Sequence, residues 1–191
     1  MGPAAEADLL QILDDLHGQY RIENVVICGG SMGGTAALTF AALHPECVDG
    51  VVSMNGTANL VEYEQFTDAI SQSFGGTKAE KPDEYRRRSA EFFPDRLTMP
   101  MATTTGGRDT LVPPASVLRL VEELKKRNSF IRSIHRADGG HDTNYADAME
   151  AFDYVFEALS KSKPAPKPLL DFLSKPQTIV CIGDSVTGVY Y

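Results

Sequence analysis

Residues 25–38 read VVICGGSMGGTAAL: a short apolar run, a glycine-rich turn and the opening of a helix. VVIC carries no polar side chain, as expected of a strand buried on both faces of a parallel sheet. Residues 35–44 are rich in Ala and Leu and end before Pro45, which predicts a helix there. Between strand and helix, Gly29, Ser31 and Gly33 fit G-x-S-x-G, and the strand–turn–helix setting gives that spacing its meaning. A serine at its centre sits on a sharp turn in a strained backbone conformation, with glycines where side chains two positions away would collide. The turn lifts the Ser31 hydroxyl clear of the sheet. It also aims the helix N-terminus and the Met32 N–H at a developing oxyanion. A phosphate-binding turn would want Gly-Lys-Ser/Thr, and a dinucleotide turn G-x-G-x-x-G with an acid about 20 residues on. Gly30, Gly33 and Gly34 do not give that spacing. A turn with no chemical role is the remaining alternative.

A serine alcohol is a poor nucleophile at neutral pH and needs a base held by a carboxylate. In this architecture the chain order is Ser, then Asp or Glu, then His. Working outward from the turn, strands are predicted at 50–54, 101–104 and 131–136. Asp109 follows the second of these in TTTGGRDTLVPP, and His141 follows the third in RADGGHDT. Both lie past the C-terminal end of a strand, on the edge where open α/β sheets place ligands. The competitors have simpler roles. His135 lies inside its strand and is expected to be packed or paired. His17 and His44 stand at helix ends, where capping suffices. Asp138 and Asp142 flank His141 as loop-structuring residues, and Asp95 precedes its strand at the opposite edge. The candidate site is therefore Ser31, Asp109 and His141, with the Met32 N–H as an oxyanion donor.

Strand and helix signals alternate along the chain, which predicts an α/β domain: a mostly parallel sheet with flanking helices. Leu9, Leu10, Ile12, Leu13 and Leu16 form one helical face, and Gly18 can stop that helix. Pro113 and Pro114 suit a helix start, with an amphipathic helix over 117–127. A final helix is predicted at 145–159. Residues 55–100 depart from the alternation. They hold two helical stretches, FTDAISQSFGG and PDEYRRRSAEFF, and an exposed-looking Phe92–Phe93 pair. So long an excursion is either a lid over a site or ordinary crossover packing. Residues 161–176, KSKPAPKPLLDFLSKP, read as a linker, and a fresh strand follows at 178–182.

Of 191 residues 42% are hydrophobic and 23% charged, which is globular composition, and the length suits one domain rather than two full ones. A net charge of −8 leaves no electrostatic footprint for nucleic acid or an anionic membrane. The basic runs at 86–88 and 125–127 are short and fall on helices, so they are expected to be solvated faces. Cys28, Cys47 and Cys181 are odd in number and lack C-x-x-C spacing, as reduced thiols rather than a disulfide framework or zinc site. The opening residues are acidic and amphipathic, unlike a signal peptide.

With these residues in place, the chain resembles the α/β-hydrolase superfamily, and within it the catalytic domains of the prolyl oligopeptidase-like group. The resemblance runs from Asp8 to about Leu159. It rests on GGSMGG at Ser31, on YRRRSAEFF before a Pro-flanked strand, on GGRDTLVPP at Asp109 and on GGHDT at His141. It implies Ser31 as nucleophile, Asp109 as orienter and His141 as base. The implied chemistry is peptidase or esterase action on a small ester or peptide through an acyl-enzyme, without metal or cofactor. Only the later half of that family's sheet is recognisable, so the implied fold is a partial α/β-hydrolase. The loop that supplies the second oxyanion N–H belongs to the other half. The expectation is thus that the chain is part of a longer protein, with one edge of the strand at 25–28 open. Residues 178–187, TIVCIGDSVT, resemble the opening block of an SGNH/GDSL hydrolase, which implies Ser185 as the nucleophile of a second unit. The expected organisation is 1–160 as the later half of an α/β-hydrolase domain, 161–177 as a Pro/Lys-rich linker and 178–191 as the truncated start of the second unit. Two functions compete: a serine hydrolase, or a non-catalytic α/β module that keeps the fold for binding or scaffolding.

Overall fold

The computed structural model describes residues 1–127 and 130–162 and the backbone of 178–182. In chain order the elements are α1 (Pro3–Gln19), β1 (Val25–Gly30), α2 (Met32–Leu43), β2 (Gly50–Met54), α3 (Thr67–Phe74), α4 (Pro82–Arg87), β3 (Met101–Gly106), α5 (Ala115–Lys125), β4 (Ile131–Arg136), α6 (Tyr145–Ser162) and β5 (Thr178–Ile182). The strands form one parallel sheet in the order β4-β3-β2-β1-β5.

Alternation of side chains along each strand sorts the core into two layers. Val25, Ile27, Val51 and Met101 pack with residues of α1, α2 and α5 on one face. Val26, Cys28, Val52, Ala102 and Ile134 pack with Ala151, Val155 and Leu159 of α6 on the other. β1, β2 and β3 are buried almost throughout, which is why their sequences read as continuous apolar or small runs. Gly50 lets α6 settle onto β2, since a Cβ there would lie 2.7 Å from a Val155 methyl.

Several expectations are corrected in detail. α2 begins immediately after Ser31, not at Thr35. α1 runs past Gly18 to Gln19, where Tyr20 turns extended. α6 continues through Lys161 and Ser162, the first two residues of the stretch read as a linker; 163–177 lie outside the described residues. In the basic run at 86–88, Arg86 and Arg87 are exposed as expected, but the third residue is not solvated. Arg88 is fully buried, donating to Glu6 at 2.6 Å and Glu84 at 2.5 Å. Phe92 and Phe93 are half-buried, with the Arg86 guanidinium 4.2 Å from the first ring and Arg96 4.8 Å from the second. The excursion over 55–100 packs against α1, α2 and α5, with a small core of its own around Leu60, Phe74 and Tyr85. The edge of β1 expected to lie open is occupied: β5 pairs along it, with Val25 opposite Thr178 and Gly29 opposite Ile182. An apolar parallel strand takes the free row of backbone donors and acceptors that β1 presents. Cys28 is buried and Cys47 half-buried, and no described helix is long and apolar enough to cross a membrane.

Candidate active site

The strand ends bring three loops together. β1 ends at Gly30 and α2 starts at Met32, so Ser31 alone makes the turn. It does so at φ 54°, ψ −117°, a left-handed backbone that a side chain rarely adopts. Hydrogen bonds hold it there. The Ser31 N–H donates to the Met54 carbonyl at the end of β2 (2.7 Å), and the Ser31 carbonyl accepts from the Thr35 N–H (3.0 Å). The close approach of α2 to β2 needs glycine, since a Cβ on Gly34 would sit 2.7 Å from the Met54 oxygen.

Asp109 lies past β3, with the residue 5% exposed. Its Oδ1 accepts the backbone N–H groups of Leu111 (3.0 Å) and Val112 (2.8 Å), which fixes the carboxylate plane. Oδ2 is left for His141, whose Nδ1 lies 2.7 Å away. On the other side of the ring, His141 Nε2 is 2.7 Å from Ser31 Oγ. An ionised carboxylate can only accept, so the proton between them belongs to Nδ1 and Nε2 is free to accept from the serine. Burial, and after it the charge of Asp109, pushes the Tyr63 phenol above its usual range. Its hydroxyl donates to the Leu111 carbonyl, tying the excursion to the Asp109 loop.

The structure thus brings Ser31, His141 and Asp109 into one hydrogen-bonded line. Met32 opens α2, and first-turn N–H groups have no partner inside a helix, which leaves its amide available beside Ser31. Ser185 lies outside the described residues. Four of the competitors are otherwise engaged. His135 Nδ1 is 2.9 Å from the Thr105 hydroxyl, His44 pairs with Glu6, Asp138 with Arg108, and Asp95 with Arg127. Among the described residues no cluster of His, Cys, Asp or Glu could hold a metal.

Some site residues were not singled out in the sequence. The Asp109 and His141 loops touch backbone to backbone: a Cβ on Gly106 would meet the Gly140 oxygen at 2.0 Å, and one on Gly107 the Ala137 oxygen at 2.4 Å. The signal was present as doubled glycines, GGRD and GGHD, each preceding a candidate residue. Asn55, Thr104 and Thr143 also cluster behind His141, and no local pattern marks them.

The prolyl oligopeptidase family (peptidase S9) matches residues 3–159. Among solved structures, an acylaminoacyl peptidase from Pyrococcus horikoshii superposes with a TM-score of 0.65 at 19% identity, covering 88% of this chain and 30% of that one. A puromycin-hydrolyzing peptidase from Mycobacterium tuberculosis gives 0.68 at 17%, covering 93% and 26%. Dipeptidyl peptidase 4 from Porphyromonas gingivalis gives 0.67 at 16%, covering 80% and 22%. The chain therefore spans less than a third of the length of these structures, and the likeness is one of fold. No match is found among curated protein sequences.

Proposed function

Since this chain belongs to the prolyl oligopeptidase family, we propose that it carries the reacting centre of a serine hydrolase of peptidase type. The observation that carries this is the line from Ser31 Oγ to His141 Nε2 to Asp109 Oδ2, with 2.7 Å at each step. Ser31 is the nucleophile: its Oγ attacks the substrate carbonyl as its proton passes to His141 Nε2. The carbonyl oxygen becomes an oxyanion beside the Met32 N–H and the N-terminus of α2. His141 then gives its proton to the leaving amine or alcohol, and an acyl-Ser31 ester remains. Water, deprotonated by His141, hydrolyses that ester and returns the enzyme. Asp109 holds the Nδ1 tautomer and stabilises the transient imidazolium.

Substrates of this site are small peptides or esters, since both share the acyl intermediate; the peptide is favoured by family membership. Names among the related structures point the same way, to acylaminoacyl, dipeptidyl and puromycin substrates of those proteins.

A fluorophosphonate probe followed by peptide mapping tests the assignment. Label is expected on Ser31 in the wild-type chain and absent in Ser31→Ala. Label retained in Ser31→Ala, with Ser185 also replaced, overturns it. His141→Ala and Asp109→Ala are expected to slow labelling without additive losses, because the three act as a unit.

A further inference from the structure

The end of β2 reaches both the nucleophile turn and the base loop. Met54 contributes its carbonyl to the Ser31 N–H, as described above. Asn55, the next residue, turns back at φ 49° and is 4% exposed. A non-glycine residue in the left-handed region is strained, and it persists where surrounding bonds over-determine it. Here they do. The Asn55 N–H donates to the Thr104 carbonyl at 2.9 Å. Its side-chain Nδ2 donates to the Gly140 carbonyl at 3.2 Å, one residue before His141. Its Oδ1 accepts from the hydroxyls of Thr104 (3.1 Å) and Thr143 (2.5 Å), the latter two residues after His141. The two hydroxyls are themselves 2.6 Å apart. One amide thus grips both flanks of the His141 loop and anchors them to β2 and β3.

We propose that Asn55 is a positioning residue for the base: with Thr143 and Thr104 it fixes the His141 loop relative to the turn that carries Ser31. The proposal rests on Ser31, His141 and Asp109 acting as one catalytic unit. Backbone contact at Gly106–Gly140 sets how close the two loops approach, but contact alone does not set rotation of the His141 loop about that point. A donor on one flank and an acceptor on the other does. Asn suits the place because its amide offers both, and because it tolerates positive φ better than other residues with a Cβ. A gain in orientation of this kind acts on the rate of the chemical step rather than on substrate binding.

The test uses the full chain and two readouts. The first is the downfield proton resonance of the His141 Nδ1–H bonded to Asp109, which needs no turnover. The second is fluorophosphonate labelling of Ser31, separated into maximal rate and half-saturating probe concentration. Asn55→Gly removes the amide and relieves the positive φ, so it keeps the backbone while deleting the grip. In a folded Asn55→Gly chain the resonance is expected to broaden or vanish. The maximal labelling rate is expected to fall on the order of 10–100-fold with the half-saturating concentration unchanged. Thr143→Val should do the same to a smaller degree, and Thr143→Ser should restore both readouts. If Asn55→Gly does not fold, the Thr143 pair decides. An unchanged resonance and an unchanged maximal rate in either folded variant overturn the proposal. A wild-type chain that takes no label at Ser31 refutes the catalytic assignment instead, and the resonance still judges the clamp.

Discussion

Ser31 holds a conformation that costs about 1–3 kcal/mol for a residue with a side chain, and its neighbours supply the compensation. Met54 accepts its N–H, and Thr35 binds its carbonyl through both the amide and the hydroxyl, at 3.0 and 3.3 Å. The hydroxyl is thereby raised towards His141 before any substrate arrives. The same economy of space governs Gly106. Its missing Cβ lets the Asp109 and His141 loops approach until backbone meets backbone. Gly106→Ala is therefore expected to part the two loops. The methyl would sit 2.0 Å from a carbonyl oxygen, which has no flexible end to swing aside. The expected result is a loss of about 100-fold in labelling or turnover, with about 1–3 kcal/mol of stability lost to overpacking. Equal activity in a folded Gly106→Ala chain, measured beside its urea unfolding curve, would show that the loops have slack.

At the scale of elements, what was legible is what leaves a local pattern. The apolar runs of β1 and β2, the Ala-rich α2 and the doubled glycines before Asp109 and His141 are all readable within a dozen residues. Long-range charge pairing is not. In the sequence Arg88 reads as part of a basic surface because its partner Glu6 lies on α1, far away along the chain, while Glu84 is one helical turn back. Asn55 leaves no local signal for the same reason: its partners come from β3 and from the loop past β4. The Arg88 cluster ties α1 to α4, with His44 and Arg87 also on Glu6. Glu6→Ala should cost about 3 kcal/mol, at the low end for a broken buried pair because Glu84 still holds Arg88 Nε. The pH dependence follows. Burial alone would raise the Glu6 carboxyl, but hydrogen bonds from His44 and Arg88 outweigh it and hold the group below the usual carboxylate range. A depressed carboxylate stabilises the fold above its unfolded pKa of about 4.3, and that contribution is lost as pH falls through the lower folded value. Chemical unfolding followed from neutral to acid pH should show a steep acid limb, and Glu6→Gln should flatten it. Parallel acid limbs in the two chains would assign the effect to other carboxylates.

Across the whole molecule, the order of β4, β3, β2 and β1 follows from strand–helix alternation, because each crossover brings the next strand alongside its predecessor. The place of β5 does not follow from it. An apolar run after a Pro-rich segment announces a strand but says nothing about which edge it joins. β5 covers the backbone edge of β1, while the side chains of β1 are already covered on both faces, by α1 and α2 and by α6. The strand therefore closes the edge of β1 as a fifth strand of the same sheet, whereas the sequence reading has 178–191 opening a second unit. A chain ending at Ser162 tests this separation. The second-unit reading predicts that this chain keeps its helical and sheet signature. It is also expected to self-associate, because the N–H and C=O groups along Val25–Gly30 become a free template for another strand. Light scattering across a concentration series reads the second effect, and circular dichroism the first. Loss of the folded signature would make β5 an integral strand of the hydrolase domain and remove the case for a second unit. A folded chain that stays monomeric at high concentration would show that the edge of β1 is guarded by something other than β5.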